Sequence, residues 1–284
     1  PCQAAAFLVL LRAKGETAHE VAGMVRTMRQ HMVRVSPGVP CLDIVGTGGD
    51  GYHTVNFSTA ASVVAAACGA KVAKHGNRSV SSSCGSADVL EELGVKLTLP
   101  AAAVEKCVRE AGIAFMFAPA FHPAMKNIVP VRKALGVRTI FNVLGPLLNP
   151  AECEHNLIGV YSEAMVRLMA DALHALGVRR AMVVFCGGLD ELAPVAVAVT
   201  AMVTPDGVEM GTLDPFALGF DKCSIEDLRG GDAKQNAAVL RQIFAGELSG
   251  PVTDTVVLNA AAGLFVAGVA PSVAAGCEMA RKAV

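Results

Sequence analysis

Asp43-Ile44-Val45-Gly46-Thr47-Gly48-Gly49-Asp50-Gly51 runs from a short apolar segment into a turn with four glycines, and Ser58 to Ala67 beyond it has the small, Ala-rich composition of a helix. A strand that ends in glycines and delivers the chain to a helix is the opening of a βαβ unit. Gly46, Gly48 and Gly51 literally satisfy G-x-G-x-x-G. A dinucleotide site, however, starts its helix at the third glycine and places an acid about 20 residues further on to hold the ribose. Here Tyr52 to Phe57 intervenes before the helix, and the next acid after Asp50 is Asp88. The G-K-[ST] of a nucleoside-triphosphate loop is also missing.

The loop still has what an anion needs. Glycines let backbone N–H groups approach closely and form concavities for negative charge. Asn56, Ser58 and Thr59 stand at a helix N-terminus, where unpaired N–H groups and the helix dipole favour an anion. Taken alone, a tight turn with Ser58 as a simple cap fits equally well. A second segment of the same kind is Lys74-His75-Gly76-Asn77-Arg78-Ser79-Val80-Ser81-Ser82-Ser83-Cys84-Gly85-Ser86, which leads into a helix at Ala87. It offers two cations, five serine hydroxyls and two glycines. Two anion cradles so close in sequence predict one ligand with two phosphate groups. His75 by itself reads as an imidazole making a structural hydrogen bond.

Outward from these loops the chain divides in two. Gln3 to Lys14 has helical composition and stops at Gly15; Thr17 to His31 reads as a second helix, with Thr17 as cap and Glu20 in the capping-box position. Val21, Met24, Val25 and Met28 share one face of it. Ser36-Pro37-Gly38-Val39-Pro40 is a linker-like break. Beyond it Cys41 to Val45, Lys71 to Ala73, Ile113 to Phe117 and Ala181 to Phe185 read as strands. Ser58 to Ala67, Ser86 to Leu93, Pro100 to Ala111 and Glu163 to Leu176 read as helices. This alternation predicts an α/β fold with a mainly parallel sheet covered by helices, preceded by a small helical unit. Val195 to Val203 and the run near Thr255 fit strand or helix.

The 284 residues are 53% hydrophobic, enough for a substantial core, and Lys+Arg (24) nearly balances Asp+Glu (25), which argues against a general nucleic-acid binder. Nine cysteines, an odd number with no C-x-x-C pair and no zinc spacing, read as reduced thiols in a reducing compartment. That points to the cytoplasm, or to an organelle if a transit peptide has been removed. No signal segment opens the chain, and the apolar run Thr255 to Ala270, interrupted by Asn259 and two glycines, is too short for a membrane span. The abrupt start at Pro1 and the finish inside the helix-like Val273 to Val284 read as a trimmed domain.

The stretch Asp43 to Gly94 resembles the signature of the anthranilate phosphoribosyltransferase family, in which GTGGDG, an N-x-S-T-A helix start and KHGNR-x-x-S-S recur in this order. The similarity continues through Phe117-Ala118-Pro119, His122-Pro123-Ala124-Met125-Lys126, Val131-Arg132-Lys133-Ala134-Leu135-Gly136 and Arg138-Thr139-Ile140-Phe141-Asn142. It then takes in Leu144-Gly145-Pro146-Leu147-Leu148-Asn149-Pro150, Gly188-Leu189-Asp190-Glu191 and Gly230-Gly231-Asp232. It covers nearly the whole chain, short of about one helix at each end of the family pattern.

The resemblance implies a nucleoside-phosphorylase-like fold: a small all-helical domain (1–35, with 122–142 packing onto it) hinged to a large α/β domain (41–284). It implies transfer of the 5-phosphoribosyl group from phosphoribosyl pyrophosphate (PRPP) to the amine of anthranilate, in tryptophan biosynthesis, by a homodimer joined through the helical domain. Carried across by position, Gly46, Gly49, Asp50, Thr54, Asn56, Ser58, Thr59, Lys74, His75, Gly76, Asn77, Arg78, Ser79, Ser81, Ser82 and Ser86 hold PRPP. Ser58, Asp190 and Glu191 position two magnesium ions. Asn77 and Arg132 hold anthranilate, with Gly46, His75, His122 and Gly145 lining its path. No side chain is implied as nucleophile or general base; positioning and charge stabilisation suffice.

Three departures from the family pattern stand out. Phe185-Cys186-Gly187 replaces a usual histidine and glycine, Pro194-Val195-Ala196-Val197 is more apolar than usual, and Ser83 takes a place often held by lysine. Two alternatives share the fold: a pyrimidine nucleoside phosphorylase, whose loops resemble S-T-G-G-x-G-D and K-S-G-R, and a noncatalytic homologue that binds nucleic acid. Gly-Thr-Gly-Gly-Asp and Lys-His-Gly-Asn-Arg argue against the first, and Asp190, Glu191 and the net charge of −1 against the second.

Overall fold

A computed structural model describes residues 1–79 and 83–284. Helix α1 (Cys2–Lys14) carries Arg12 and Lys14 in its last turn and closes at Gly15, whose φ of 87° suits glycine. Helix α2 (Ala18–Gln30) begins with the capping box that its spacing predicts: the Thr17 hydroxyl accepts from the Glu20 N–H, and the Glu20 carboxylate accepts from the Thr17 N–H at 2.9 Å. Val21 and Val25 are buried, with Met24 and Met28 beside them in partial cover.

Beyond the break come β1 (Leu42–Gly46), α3 (Phe57–Ala67), β2 (Val72–Gly76), α4 (Ser86–Glu92), α5 (Ala101–Ala111) and β3 (Ile113–Phe117). The short helices α6 (Ala118–Phe121), α7 (Val129–Leu135) and α8 (Phe141–Leu144) follow. Then come β4 (His155–Gly159), α9 (Ala164–Ala175), β5 (Arg180–Phe185), β6 (Ala198–Thr204), β7 (Gly207–Leu213), α10 (Ala233–Phe244), α11 (Pro251–Val266) and α12 (Val273–Ala283). The seven strands form one sheet in the order β3-β2-β1-β4-β5-β6-β7. The first five in that order are mutually parallel; β6 and β7 continue the sheet as an antiparallel hairpin.

Alternate strand residues feed two cores. Leu42, Ile44, Leu157, Met182 and Val184 pack with α3, α10, α11 and α12, whereas Ile158, Ala181 and Val183 pack with α9 on the opposite face. That second core also takes Leu8 and Leu11 of α1, Val21 and Val25 of α2, and Val131, Ile140 and Val143. The 131–143 segment therefore shares a core with the N-terminal helices, although some 100 residues separate them.

Local pattern and structure part in three places. β2 extends past Ala73, so Lys74 and His75 are buried strand residues instead of loop residues; their backbones pair with Phe115 and Met116. A central strand between two neighbours continues as long as the ladder is satisfied, whatever its side chains. His155–Gly159 is an additional strand that its five residues do not announce. The run near Thr255 is a helix buried on nearly all sides, so it has no polar face to betray its period. No helix among the described residues is long and apolar enough to cross a membrane.

Candidate active site

β1 and β4 lie side by side, yet the chain leaves them in opposite directions, to β2 and to β5. This is a topological switch point, where a crevice opens beyond the carboxyl ends of parallel strands. Gly46 and Gly159 end the two strands as register partners. Both make room for Asp190: a Cβ on Gly46 would fall on its carboxylate, and one on Gly159 on its backbone carbonyl. Asp190 Oδ2 accepts from the Gly48 N–H at 2.6 Å, and Glu191 Oε1 accepts from the Ser58 N–H at 3.3 Å. Glu191 Oε2 is buried without a partner. The next residue, Leu192, is clamped by the buried Asn259, which accepts from its N–H at 3.1 Å and donates to its carbonyl at 2.7 Å.

The acids are short of positive charge. Burial, then the neighbouring Asp50, pushes the Asp190 carboxyl up to about 7. Burial, then Asp190 and Asp50, raises Glu191 well above the usual carboxylate range. Lys74 is the ammonium nearby; its Nζ donates to Ile44 O at 2.6 Å and Ser58 Oγ at 3.3 Å, and burial pushes its own affinity for the proton down. A buried carboxylate pair with an orphaned oxygen suits a hard divalent cation. Among the described residues no three His, Cys, Asp or Glu side chains converge to cage a metal unaided. Magnesium does not require that, since one or two carboxylates with phosphate oxygens and water satisfy it.

The first loop is shaped by Gly48, Gly49 and Gly51, with φ of 67°, 83° and 86°. The Arg138 guanidinium donates to the Gly49 carbonyl and lies over the Tyr161 ring, 4.5 Å from its centroid. Because the peptide is trans, the Asp50 N–H points away from Arg138. Thr54 pairs with Arg229 in an isolated bridge, Asn56 caps α3 by position, and Thr59 is buried with an unpartnered hydroxyl.

The second loop is pinched at its neck by Asp88. One oxygen accepts from the Ser79 and Gly85 N–H groups at 3.0 and 2.9 Å, the other from Arg78 at 3.0 Å. The Ser86 hydroxyl donates to Asn77 O, and a Cβ on Gly76 would strike that hydroxyl. Arg78 also binds Glu91 at 2.7 and 3.0 Å, so two carboxylates already answer its charge, and its side chain is not the free phosphate cation that the sequence suggests. Ser81 and Ser82 lie outside the described residues.

On the other face of the sheet, His75 and His122 meet edge to face, ring centroids 5.1 Å apart. Burial, then His122, pushes His75 down to about 3, against the opposing Gly145 backbone, and burial lowers His122. Burial thus favours the neutral imidazole at both positions. Arg132 lies over the Phe141 ring at 5.6 Å and has no carboxylate partner among the described residues; burial pushes its proton affinity down. Gly145 opens a short 3-10 turn, Gly145–Leu147, with open space where a side chain would stand. The structure thus brings His75 of β2 together with His122 and Gly145 of the 122–145 segment, while Arg132 is placed by its stack on Phe141.

Sequence reasoning gives no role to Asp88, Arg138, Gly159, Asn236 or Asn259. Only Asp88, three residues after Gly85, has a legible capping position. The rest act on residues too distant in sequence for any local signal.

The chain has an N-terminal helical part against an α/β body, with donor-rich loops following β1 and β2, and the class it matches is the glycosyl transferases. Models of that class match both parts: the glycosyl transferase family helical bundle domain over residues 1–32 and the glycosyl transferase family a/b domain over residues 38–284. Anthranilate phosphoribosyltransferase of Trichlorobacter lovleyi is 47% identical over 300 residues, covering all of this chain and 86% of that protein. The crystal structure of anthranilate phosphoribosyltransferase from Thermus thermophilus superposes with a TM-score of 0.95 at 45% identity, over 100% of this chain and 85% of that one. The Saccharomyces cerevisiae enzyme in complex with PRPP and Mg does so with 0.90 at 28% identity, over 99% and 80%. The chain belongs to the anthranilate phosphoribosyltransferase family.

Proposed function

We propose that the chain transfers the 5-phosphoribosyl group of PRPP to the amine of anthranilate, yielding N-(5-phosphoribosyl)anthranilate and pyrophosphate, a step of tryptophan biosynthesis. The observation that carries this reading is the buried Asp190–Glu191 pair, short of positive charge, set against the first loop at Gly48 and the α3 N-terminus at Ser58. In the reaction the C1–O bond breaks and its electron pair leaves with pyrophosphate. The amine lone pair forms the C1–N bond, and the nitrogen releases one proton to water. The family relationship supports the substrates.

Gly46, Gly49, Asp50 and Thr54 of the first loop, Asn56, Ser58 and Thr59 at the α3 N-terminus, and Lys74 to Ser79, Ser81, Ser82 and Ser86 of the second are proposed to hold PRPP. Ser58, Asp190 and Glu191 are proposed to position two magnesium ions; the orphaned Glu191 Oε2 fits that role. Magnesium, when bound, neutralises charge that develops on the departing pyrophosphate. Arg132 offers a planar fork to the anthranilate carboxylate, with Asn77, and the neutral His75–His122 pair, Gly46 and Gly145 line the approach. Neutral imidazoles leave the ring path free of competing charge.

The proposed domains are 1–35 with 122–142, and 41–284. A homodimer through the helical domain is supported by α1, which buries Leu8 and Leu11 while exposing Phe7 (56%) and Leu10 (68%). Reduced thiols support a cytoplasmic setting. The test follows anthranilate fluorescence with PRPP and magnesium. Loss of signal dependent on both is the expected result; no turnover, with phosphorolysis of uridine or thymidine instead, overturns the reading.

A further inference from the structure

The Gly230-Gly231-Asp232 motif has no part in the reaction as proposed above, yet it lies against the first loop. Gly230 N–H donates to His53 O at 2.9 Å, Val55 N–H donates to Leu228 O at 3.1 Å, and Thr54 bridges Arg229. Asp232 starts α10 with a capping box to Gln235, 2.8 and 3.0 Å. The first turn of that helix carries Asn236, which is 1% exposed. Its Oδ1 accepts from the Gly231 N–H at 2.7 Å, and its Nδ2 donates to Asn56 Oδ1 at 2.9 Å. Asn56 Nδ2 in turn donates to Cys84 O, in the second loop, at 3.2 Å. Both glycines are required for this approach: a Cβ on Gly230 would meet Asn236 Oδ1 and Thr54 O, and one on Gly231 would meet Gln235.

We infer that Asn236 is a positioning residue that holds the two PRPP-binding loops in register through Asn56. The chain of bonds starts at an N–H, which can only donate, and ends at a carbonyl, which can only accept. Both carboxamides therefore have one permitted orientation, and neither aspartate nor leucine can replace the link. Asn56, placed by sequence among direct PRPP contacts, acts as the strut between the loops. A ribose phosphorylated at two positions needs both loops at a set spacing, so loosening the strut weakens PRPP more than anthranilate.

This inference rests on the proposed reaction, and the test separates the two. Asn236→Ala, Asn236→Ser, Asn56→Ala and the double variant Asn56→Ala with Asn236→Ala are compared in turnover and in calorimetric PRPP binding with magnesium. Loss of a buried link is expected to raise the PRPP KM and Kd roughly 10-fold. The anthranilate KM stays within about 2-fold, since its contacts lie elsewhere. The double variant is no worse than Asn56→Ala alone. Asn236→Ser keeps an acceptor for Gly231 but cannot reach Asn56, and so serves if Asn236→Ala fails to fold. PRPP binding unchanged in Asn236→Ser, equal rises in both KM values, or a double variant equal to the product of the singles overturns the role. Absence of transferase turnover in the unaltered protein counts instead against the proposed reaction, and the calorimetric comparison still decides the role of Asn236.

Discussion

The two donor-rich loops are held in opposite ways. The first is fastened by residues far along the chain: Asp190 is 142 residues from Gly48, Glu191 is 133 from Ser58, and Arg138 is 89 from Gly49. The second is fastened by near neighbours: Asp88 is 9 residues from Ser79 and 3 from Gly85, and Glu91 is 13 from Arg78. One loop takes its shape from the assembled sheet; the described part of the other is fastened mainly by α4, with a single link across to Asn56 at Cys84 O. Long-range fastening carries a loop-closure cost that the rest of the fold must offset, and it sets the two acids against Gly48 and Ser58.

The comparison predicts its largest effect where the first loop meets the acids. Asp190→Ala with Glu191→Ala is expected to lower turnover by roughly 10²-fold or more and to abolish its steep magnesium dependence. Both carboxyls are raised in the fold, so their ionised forms oppose folding at neutral pH, and the double variant is expected to unfold at an equal or higher urea concentration. A sharp fall in stability would mean that the acids brace the loop and do not serve a cation.

Next in size is Arg132→Ala, which lies in neither loop. Loss of a charge-assisted contact is expected to raise the anthranilate KM by roughly 10- to 50-fold while the PRPP KM changes little. Equal rises would place Arg132 with the phosphate machinery.

Arg138→Ala and Asp88→Ala set the two loops directly against each other, each with an expected rise of roughly 5- to 10-fold in PRPP KM. Hydrogen exchange should accelerate at Gly48 to Tyr52 in the first variant and at Asn77 to Ser86 in the second. Faster exchange in both loops in either variant would break the distinction. Asp88→Ala also removes a first-turn acid from α4, with a stability cost of about 1–2 kcal/mol.

The smallest effect on turnover is expected at Asp43, beneath both loops. It is fully buried, accepts from Asn149 at 2.7 Å, and burial raises its carboxyl from 3.8 to about 6 against the opposing charge of Lys74. An acid raised by folding favours the fold most below its unfolded value. That contribution is lost as pH rises from 3.8 through about 6, at most about 3 kcal/mol. Urea midpoints for the protein and for Asp43→Asn should therefore converge or cross across this window. Parallel curves would show that folding leaves the proton affinity of Asp43 unchanged.

Residues 74 to 78 show how far local reading extends. Their composition is that of a phosphate loop, and Lys74 reaches Ile44 O and Ser58 Oγ. Yet Lys74 and His75 are strand residues buried between β1 and β3, and Arg78 is neutralised by Asp88 and Glu91. The type of a side chain is visible in sequence, whereas its direction depends on which strand lies alongside.

The sequence by itself determined what short-range chemistry controls: the capping box at Thr17 and Glu20, the stop at Gly15, the glycine turn after β1, the helix that follows it, and the family motifs. Tertiary structure decided what acts across the chain. It set Gly46 and Gly159 side by side to admit Asp190, drew Asn236 to Asn56 and Asn259 to Leu192, and hid α11 inside the core. The physical reason is reach. Caps and turns are satisfied within a few residues of one backbone, while a buried acid or amide finds its partner only after the sheet has ordered its strands.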